Sequence, residues 1–182
     1  EEDGFLKEFV IKKDRSVKES GGGLCQVATT LFRLALNAGL PIAERHNHLY
    51  VVSYYGPGLD ATIYGPNVDL KFINDTGSYL LLQSKTAGDE AIMEFYGRKD
   101  GRIISIAELK LYDKIPPPKP KYISSLELPQ GEEKCTEQPR FGVTAEANYQ
   151  VSYPNGKINS QNFKSVYQPW QKVCLRGMGY NN

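Results

Sequence analysis

Between residues 24 and 39 the apolar positions recur at helical spacing. Leu24, Val27, Ala28, Leu31, Ala35 and Ala38 make one stripe, and Phe32, Leu34 and Leu36 widen it. A helix that is apolar on more than one side is expected to be buried. Asn37 and Gly39 mark its end, and Pro41 stops its continuation. After Pro41 the period falls to two. Residues 49–55, β-branched and aromatic, predict a strand, and Asp60-Ala61-Thr62-Ile63-Tyr64 predicts a shorter one. Residues 68–73, 79–84, 91–96 and 103–111 predict more, with turns at Gly56-Pro57-Gly58, Gly65-Pro66-Asn67, Asn74-Asp75-Thr76-Gly77 and Lys99-Asp100-Gly101. Upstream, Phe5, Phe9 and Ile11 would line one face of a short strand ending in the charged run Lys12-Lys13-Asp14-Arg15. The pattern predicts an α+β fold: one buried helix packed on an antiparallel sheet.

The alternation breaks at Ile115-Pro116-Pro117-Pro118-Lys119-Pro120-Lys121. Such a run cannot enter a sheet interior and favours polyproline II, so it predicts a semi-rigid linker. The expected organisation is an α+β domain over residues 1–114, a Pro-rich linker over 115–121 and a small all-β module over 122–182. In that module residues 149–153 alternate, Pro154-Asn155-Gly156 is a hairpin turn, residues 165–167 and 172–175 predict strands, and residues 178–182 read as a frayed end. So short a module has a thin core, where a disulfide stabilises most, by about 2–4 kcal/mol. Cysteine counting supplies one: Cys135 with Cys174, leaving Cys25 as a free thiol. The alternative is two unlinked, buried cysteines. A disulfide implies an oxidising compartment.

Composition excludes two partner classes. A formal net charge of +1 leaves no electrostatic footprint for nucleic acid. No apolar run approaches the roughly 18 residues that span a bilayer, so no membrane contact is expected of this segment. The sequence carries no signal peptide and begins without Met, which predicts a piece of a longer chain. Abundant tyrosine, 12 residues against a single Trp170, suits β-rich structure and surfaces that meet polar ligands.

Candidate chemistry gathers at Gly21-Gly22-Gly23-Leu24-Cys25-Gln26 and at Glu44-Arg45-His46-Asn47-His48. A thiol in the first turn of a helix feels the positive end of the helix dipole, which lowers its pKa from about 8.5. The N–H groups of that turn can hold an oxyanion, and glycines let a substrate approach the backbone. An imidazole within reach would take the thiol proton, and a carboxylate would orient the imidazole. His46 and His48, two apart on a predicted strand, would share a face; Asp60 and Asp69 are the carboxylate candidates. The plainer readings are a small buried cysteine and structural histidines. Cys25, His46, His48 and Asp60 could also hold zinc, but His-x-His with a remote Cys is a weak metal signal, and no metal is expected. The glycine run lacks both the P-loop ending and the dinucleotide spacing, and no cofactor is expected.

The stretches Gly21-Gly22-Gly23-Leu24-Cys25-Gln26-Val27-Ala28-Thr29-Thr30-Leu31-Phe32, Ala38-Gly39-Leu40, Glu44-Arg45-His46-Asn47-His48 and Gly58-Leu59-Asp60-Ala61-Thr62-Ile63 resemble the VanW family, named after a gene of B-type vancomycin-resistance clusters. The resemblance covers about residues 4–110. Phe141-Gly142-Val143, the hairpin around Pro154-Asn155-Gly156 and the run from Tyr167 to Gly177 are similar to a G5 domain, from which the two cysteines depart. That order implies a protein of the bacterial cell surface, outside the cell, anchored through a segment upstream of this sequence. It implies as partner a cell-wall polymer, either peptidoglycan or an N-acetylglucosamine-containing glycan. More distantly, the order Cys25, His48, Asp60 is similar to transglutaminase-like and papain-like enzymes. That similarity implies Cys25 as nucleophile, His48 as base and Asp60 as orienter, in a cysteine amidase or transpeptidase acting on peptidoglycan peptides. Gly21, Gly22, Gly23, Gln26, Arg45 and His46 are the binding candidates. The alternative is a non-catalytic module that binds peptidoglycan or glycan. One geometric expectation opposes the triad. If Gly56-Pro57-Gly58 closes a simple hairpin, Asp60 faces about Tyr54, and six residues of offset from His48 is roughly 20 Å. Asp69, or His46 in place of His48, would then have to serve.

Overall fold

The structure, a computed structural model, describes residues 7–12, 15–20, 22–88 and 90–179. Phe5, Lys13, Asp14, Gly21 and residues 180–182 lie outside them. In chain order, β1 (Lys7–Lys12) and β2 (Arg15–Ser20) form an antiparallel hairpin. α1 (Leu24–Asn37) follows, then β3 (Ile42–Glu44), which pairs antiparallel with β4 (Lys71–Phe72). β5 (Leu81–Ala87) and β6 (Glu90–Tyr96) are a second hairpin. β7 (Ile103–Ile106), β8 (Lys110–Ile115), β9 (Lys121–Pro129), β10 (Glu133–Glu137), β11 (Gly142–Ser152), β12 (Ile158–Tyr167) and β13 (Val173–Gly179) complete the chain. No helix among the described residues is long and apolar enough to cross a membrane.

The fold is α+β, with one buried helix on antiparallel strands. The sheet beneath the helix is built from β11 and β12, paired from Val143 opposite Tyr167 to Ser152 opposite Ile158, with β7 and β8 along the other edge of β11. Alternation along β11 and β12 buries Ala145, Ala147, Tyr149, Val151, Phe163, Ser165 and Tyr167. The helix lays Ala28, Thr29, Phe32, Ala35 and Leu36 inward. That face is turned from the predicted stripe, leaving Val27 44% exposed. Phe32 meets Phe163 edge to face with centroids 5.4 Å apart, and the Tyr149 hydroxyl donates to the Leu36 carbonyl at 3.2 Å in the last helical turn.

This core joins residues on both sides of the Pro-rich segment: Phe32, Leu36, Leu40, Ile42 and Ala61 from one side, Tyr149, Val151 and Phe163 from the other. Residues 116–120 lie between β8 and β9 without regular secondary structure and are largely exposed. They connect two parts of a shared core.

Residues 49–55 are not a strand. Their carbonyls are taken by turns and by the C-terminal part: Tyr55 N–H and Gly56 N–H donate to Val52 O, Gln168 N–H to Leu49 O, and Arg140 Nη1 to Val51 O. Tyr50 and Val52 are apolar because they pack with Trp170. Their hydrophobicity records burial in a loop; a period-two pattern cannot distinguish the two over so short a run. The expected strand over 103–111 is two strands, interrupted at residues 107–109, both opposite β11.

β13 lies between β10, antiparallel, and β9, parallel. Cys135 and Cys174 face each other across β10 and β13 and form a disulfide that closes a sequence separation of 39. Replacing both by serine is expected to cost about 2–4 kcal/mol of unfolding free energy in a denaturant titration. The alkylation profile of Cys25 should be unchanged.

Candidate active site

Gly23 sets the entrance of α1. Its φ of +90° is a left-handed conformation that a side chain resists, its carbonyl accepts Gln26 N–H at 2.9 Å, and nothing occupies the space where a Cβ would stand. Cys25 is therefore the second helical residue, in a turn whose N–H groups have no full set of carbonyls in their own helix. Its thiol is free and half-buried. Sγ lies 3.2 Å from Thr62 Oγ1 and 3.8 Å from the Ile63 carbonyl. One turn further along, Thr29 fixes the helix to the same segment: its hydroxyl donates to Ala61 O at 2.8 Å and accepts Ala61 N–H at 3.0 Å.

An antiparallel bridge pairs His46 with Thr62. Continuing that register places His48 opposite Asp60, and the side chains meet there. His48 Nδ1 is 2.6 Å from Asp60 Oδ2, which also accepts the His48 backbone N–H at 2.9 Å. The simple hairpin that would have separated them does not form, because residues 49–58 loop out between the two segments. With Nδ1 committed to Asp60, Nε2 is the ring nitrogen left for the thiol, and the charge states of imidazole and thiol are coupled. The Tyr55 ring lies against the imidazole at 5.3 Å between centroids. Among the described residues its buried hydroxyl has no hydrogen-bond partner.

Asp60 is 1% exposed, and both its oxygens are occupied. Oδ1 accepts Arg45 Nη2 at 2.9 Å and the Tyr167 hydroxyl. Arg45, with a side chain 5% exposed, also donates from Nε to the Asp60 carbonyl at 2.6 Å, from Nη2 to Gly58 O at 3.0 Å and from Nη1 to Ser165 Oγ at 2.8 Å. The Tyr167 oxygen accepts Gly58 N–H at 2.7 Å. Gly58 tolerates no side chain, since its φ is +99° and the Leu109 methyls fill the space beside it.

The charges follow from these contacts. For Cys25, burial pushes the thiol up, but the interactions with His48, Thr62 and the Ile63 backbone outweigh it and bring the pKa down to about 7. For His48, burial pushes down, and the bonds to Asp60 and then Cys25 raise it to about 9. The two shifts are one interaction seen from both partners. Asp60 is held below the usual carboxylate range: its burial is outweighed by His48, then by Tyr167 and Arg45. The arrangement favours a thiolate beside an imidazolium around neutral pH.

The other candidates fall elsewhere. His46 is 46% exposed and pairs with Glu44 Oε1 at 3.1 Å, whereas His48 is buried against Asp60. Asp69 is exposed, 3.8 Å from Lys71. Gln26 is exposed, Gly22 is half-buried, and Gly21 lies outside the described residues. Arg45, a binding candidate from sequence, is buried with its guanidinium committed to internal acceptors. Among the described residues the cluster with metal-ligand proximity is Glu133, Cys135 and Cys174, whose sulfurs are joined to each other. Thr62, Ser165 and Tyr167 were not anticipated. The alternation Phe163, Ser165, Tyr167 signals that two polar side chains share a buried face, but not what they meet.

Comparison with known proteins gives three findings. The family model described as VanW like protein matches residues 1–96. "Uncharacterized protein YoaR" of Bacillus subtilis (strain 168) is 36% identical over 93 residues, which are 51% of this chain and 31% of that protein. The chain thus spans about a third of that relative's length. A solved structure titled "IgA1 Protease G5 domain structure" aligns with 46% of this chain and 99% of its own at 14% identity and a TM-score of 0.27, which does not assign the C-terminal strands to its fold. The matched segment includes Cys25, His48 and Asp60 and covers more than half of the sequence: the chain belongs to the VanW family.

Proposed function

We propose that Cys25, His48 and Asp60 act as nucleophile, base and orienter in acyl transfer, making the protein a cysteine amidase or transpeptidase. The observation that carries this is the bond from His48 Nδ1 to Asp60 Oδ2 at 2.6 Å, with the imidazole coupled electrostatically to a thiol at a helix start. The Cys25 thiolate would attack an amide carbonyl carbon, and the first-turn N–H groups of α1 would receive the oxyanion. Collapse would break the C–N bond, with the His48 imidazolium giving its proton to the departing amine, and leave a thioester on Cys25. Water would release a carboxylic acid, or an amine would release a new amide, each giving its proton to His48.

The Cys135–Cys174 disulfide supports an extracellular location. The motif resemblance favours peptidoglycan peptides as the substrate class and a cell-wall polymer as partner. A non-catalytic wall-binding role for the same pocket is the competing outcome of the test.

The test is the rate of Cys25 alkylation by iodoacetamide over pH 4–9. Wild type is expected to show an inflection near 7. His48→Ala should move it upward to or beyond the free-thiol value of about 8.5. An ordinary thiol profile in wild type, or no labelling of the folded protein, would sink the proposal.

A further inference from the structure

We infer that Tyr167 is a positioning residue of this site, contributed by a strand beyond the family-matched segment: it holds Asp60, and through Asp60 the His48 imidazole, in the orientation that meets Cys25. The inference rests on the reading of Cys25, His48 and Asp60 as the reacting set. Three observations lead to it.

The Tyr167 hydroxyl is a bridge between the two ends of the Gly58–Asp60 segment. It accepts Gly58 N–H at 2.7 Å and donates to Asp60 Oδ1. A phenol used in both senses fixes the carboxylate's rotation, since Oδ2 must then point at His48. The residue is 1% exposed, so water cannot replace the hydroxyl when it is lost. Two residues earlier on the same face of β12, Ser165 receives Arg45 Nη1, and Arg45 holds the same carboxylate oxygen. One strand thus supports Asp60 directly and through Arg45.

The loop between His48 and Asp60 is fixed from the same quarter. Gln168 N–H donates to Leu49 O at 2.8 Å, Arg140 Nη1 to Val51 O at 2.8 Å, and Trp170 packs on Tyr50 with centroids 4.4 Å apart. Every one of these supports comes from residues 140–170, whereas the family model ends at residue 96. The C-terminal strands therefore complete the site.

The experiment is the pH profile of Cys25 alkylation in full-length Tyr167→Phe, which keeps the ring and deletes one oxygen. The inflection is expected to rise by about half a unit to one unit, and the rate at pH 6 to fall about three- to tenfold. Phe163→Leu, on the same buried face and away from Asp60, should lower the melting temperature and leave the inflection in place. Tyr167→Met removes the same hydroxyl with a more adaptable side chain and is read in the same way, so if one variant fails to fold the other still decides the question. If the Tyr167 variants lose only thermal stability and keep the wild-type inflection, Tyr167 is a core residue and the inference fails while the reacting set stands. If wild type itself titrates as an ordinary thiol, both fail together.

Discussion

Asp60→Asn is expected to damage stability and reactivity at once. Asn keeps the shape of the side chain and removes its charge, so the Arg45 guanidinium, 5% exposed, loses its ionic partner. Breaking a buried pair in this way costs about 3–5 kcal/mol, and the lower end applies here because Arg45 keeps three carbonyl and hydroxyl acceptors. The imidazolium of His48 loses the neighbour that most favours it. The thiolate loses the imidazolium in turn, and only Thr62 and the Ile63 backbone then oppose the upward push of burial on Cys25. A rise from about 7 to about 9 lowers the thiolate fraction at pH 6 about a hundredfold, and alkylation at that pH should slow accordingly.

The variant also has a pH signature. The folded-state pKa of Asp60 lies below its unfolded value. Its contribution is therefore fully present above the ordinary carboxylate range and is lost as pH falls through the depressed folded value. Unfolding free energies of wild type and Asp60→Asn should differ most at neutral pH and converge in acid. A constant gap from pH 7 to pH 3 would mean that the loss is one of packing and that the ion pair contributes nothing.

What was legible in the sequence follows from the range of the interactions. The helix was legible because its period, its glycine entrance and its stop at Asn37, Gly39 and Pro41 are local features. Cys25 could be placed in its first turn for the same reason. The pairing of His48 with Asp60 could be suspected from chain order, but the simplest geometry opposed it. Its resolution lies in a loop whose Tyr50 and Val52 mimic a strand, because they are buried against Trp170 more than 80 residues away. Arg45 shows the same limit: an arginine between Glu44 and His46 carries no mark that its acceptors are Gly58, Asp60 and Ser165. The proline run marks a break in the alternation. What it could not reveal is that strands on its two sides pair with each other, since pairing depends on partners and not on the connection.

That shared core gives the last expected result: a chain ending at residue 121 will not fold. It would retain α1 and the Cys25, His48 and Asp60 segments, which is what a domain boundary in the proline run would require. It would lose Tyr149, Val151 and Phe163 from the cluster that buries Phe32, Leu36 and Leu40. At about 1.5–3 kcal/mol for each large apolar side chain, that is roughly 5–9 kcal/mol, comparable with the whole stability of an ordinary domain. β7 and β8 would have no β11 to pair with, and Asp60 would keep Arg45 but lose Tyr167. Circular dichroism should show no cooperative thermal transition for the fragment, and Cys25 in it should alkylate with the profile of a free thiol near about 8.5. A cooperative transition together with an inflection near 7 would instead establish residues 1–121 as an autonomous unit carrying a complete site. The contacts with β11 and β12 would then be an interface between two folded parts, and the VanW segment would not depend on the strands that follow it.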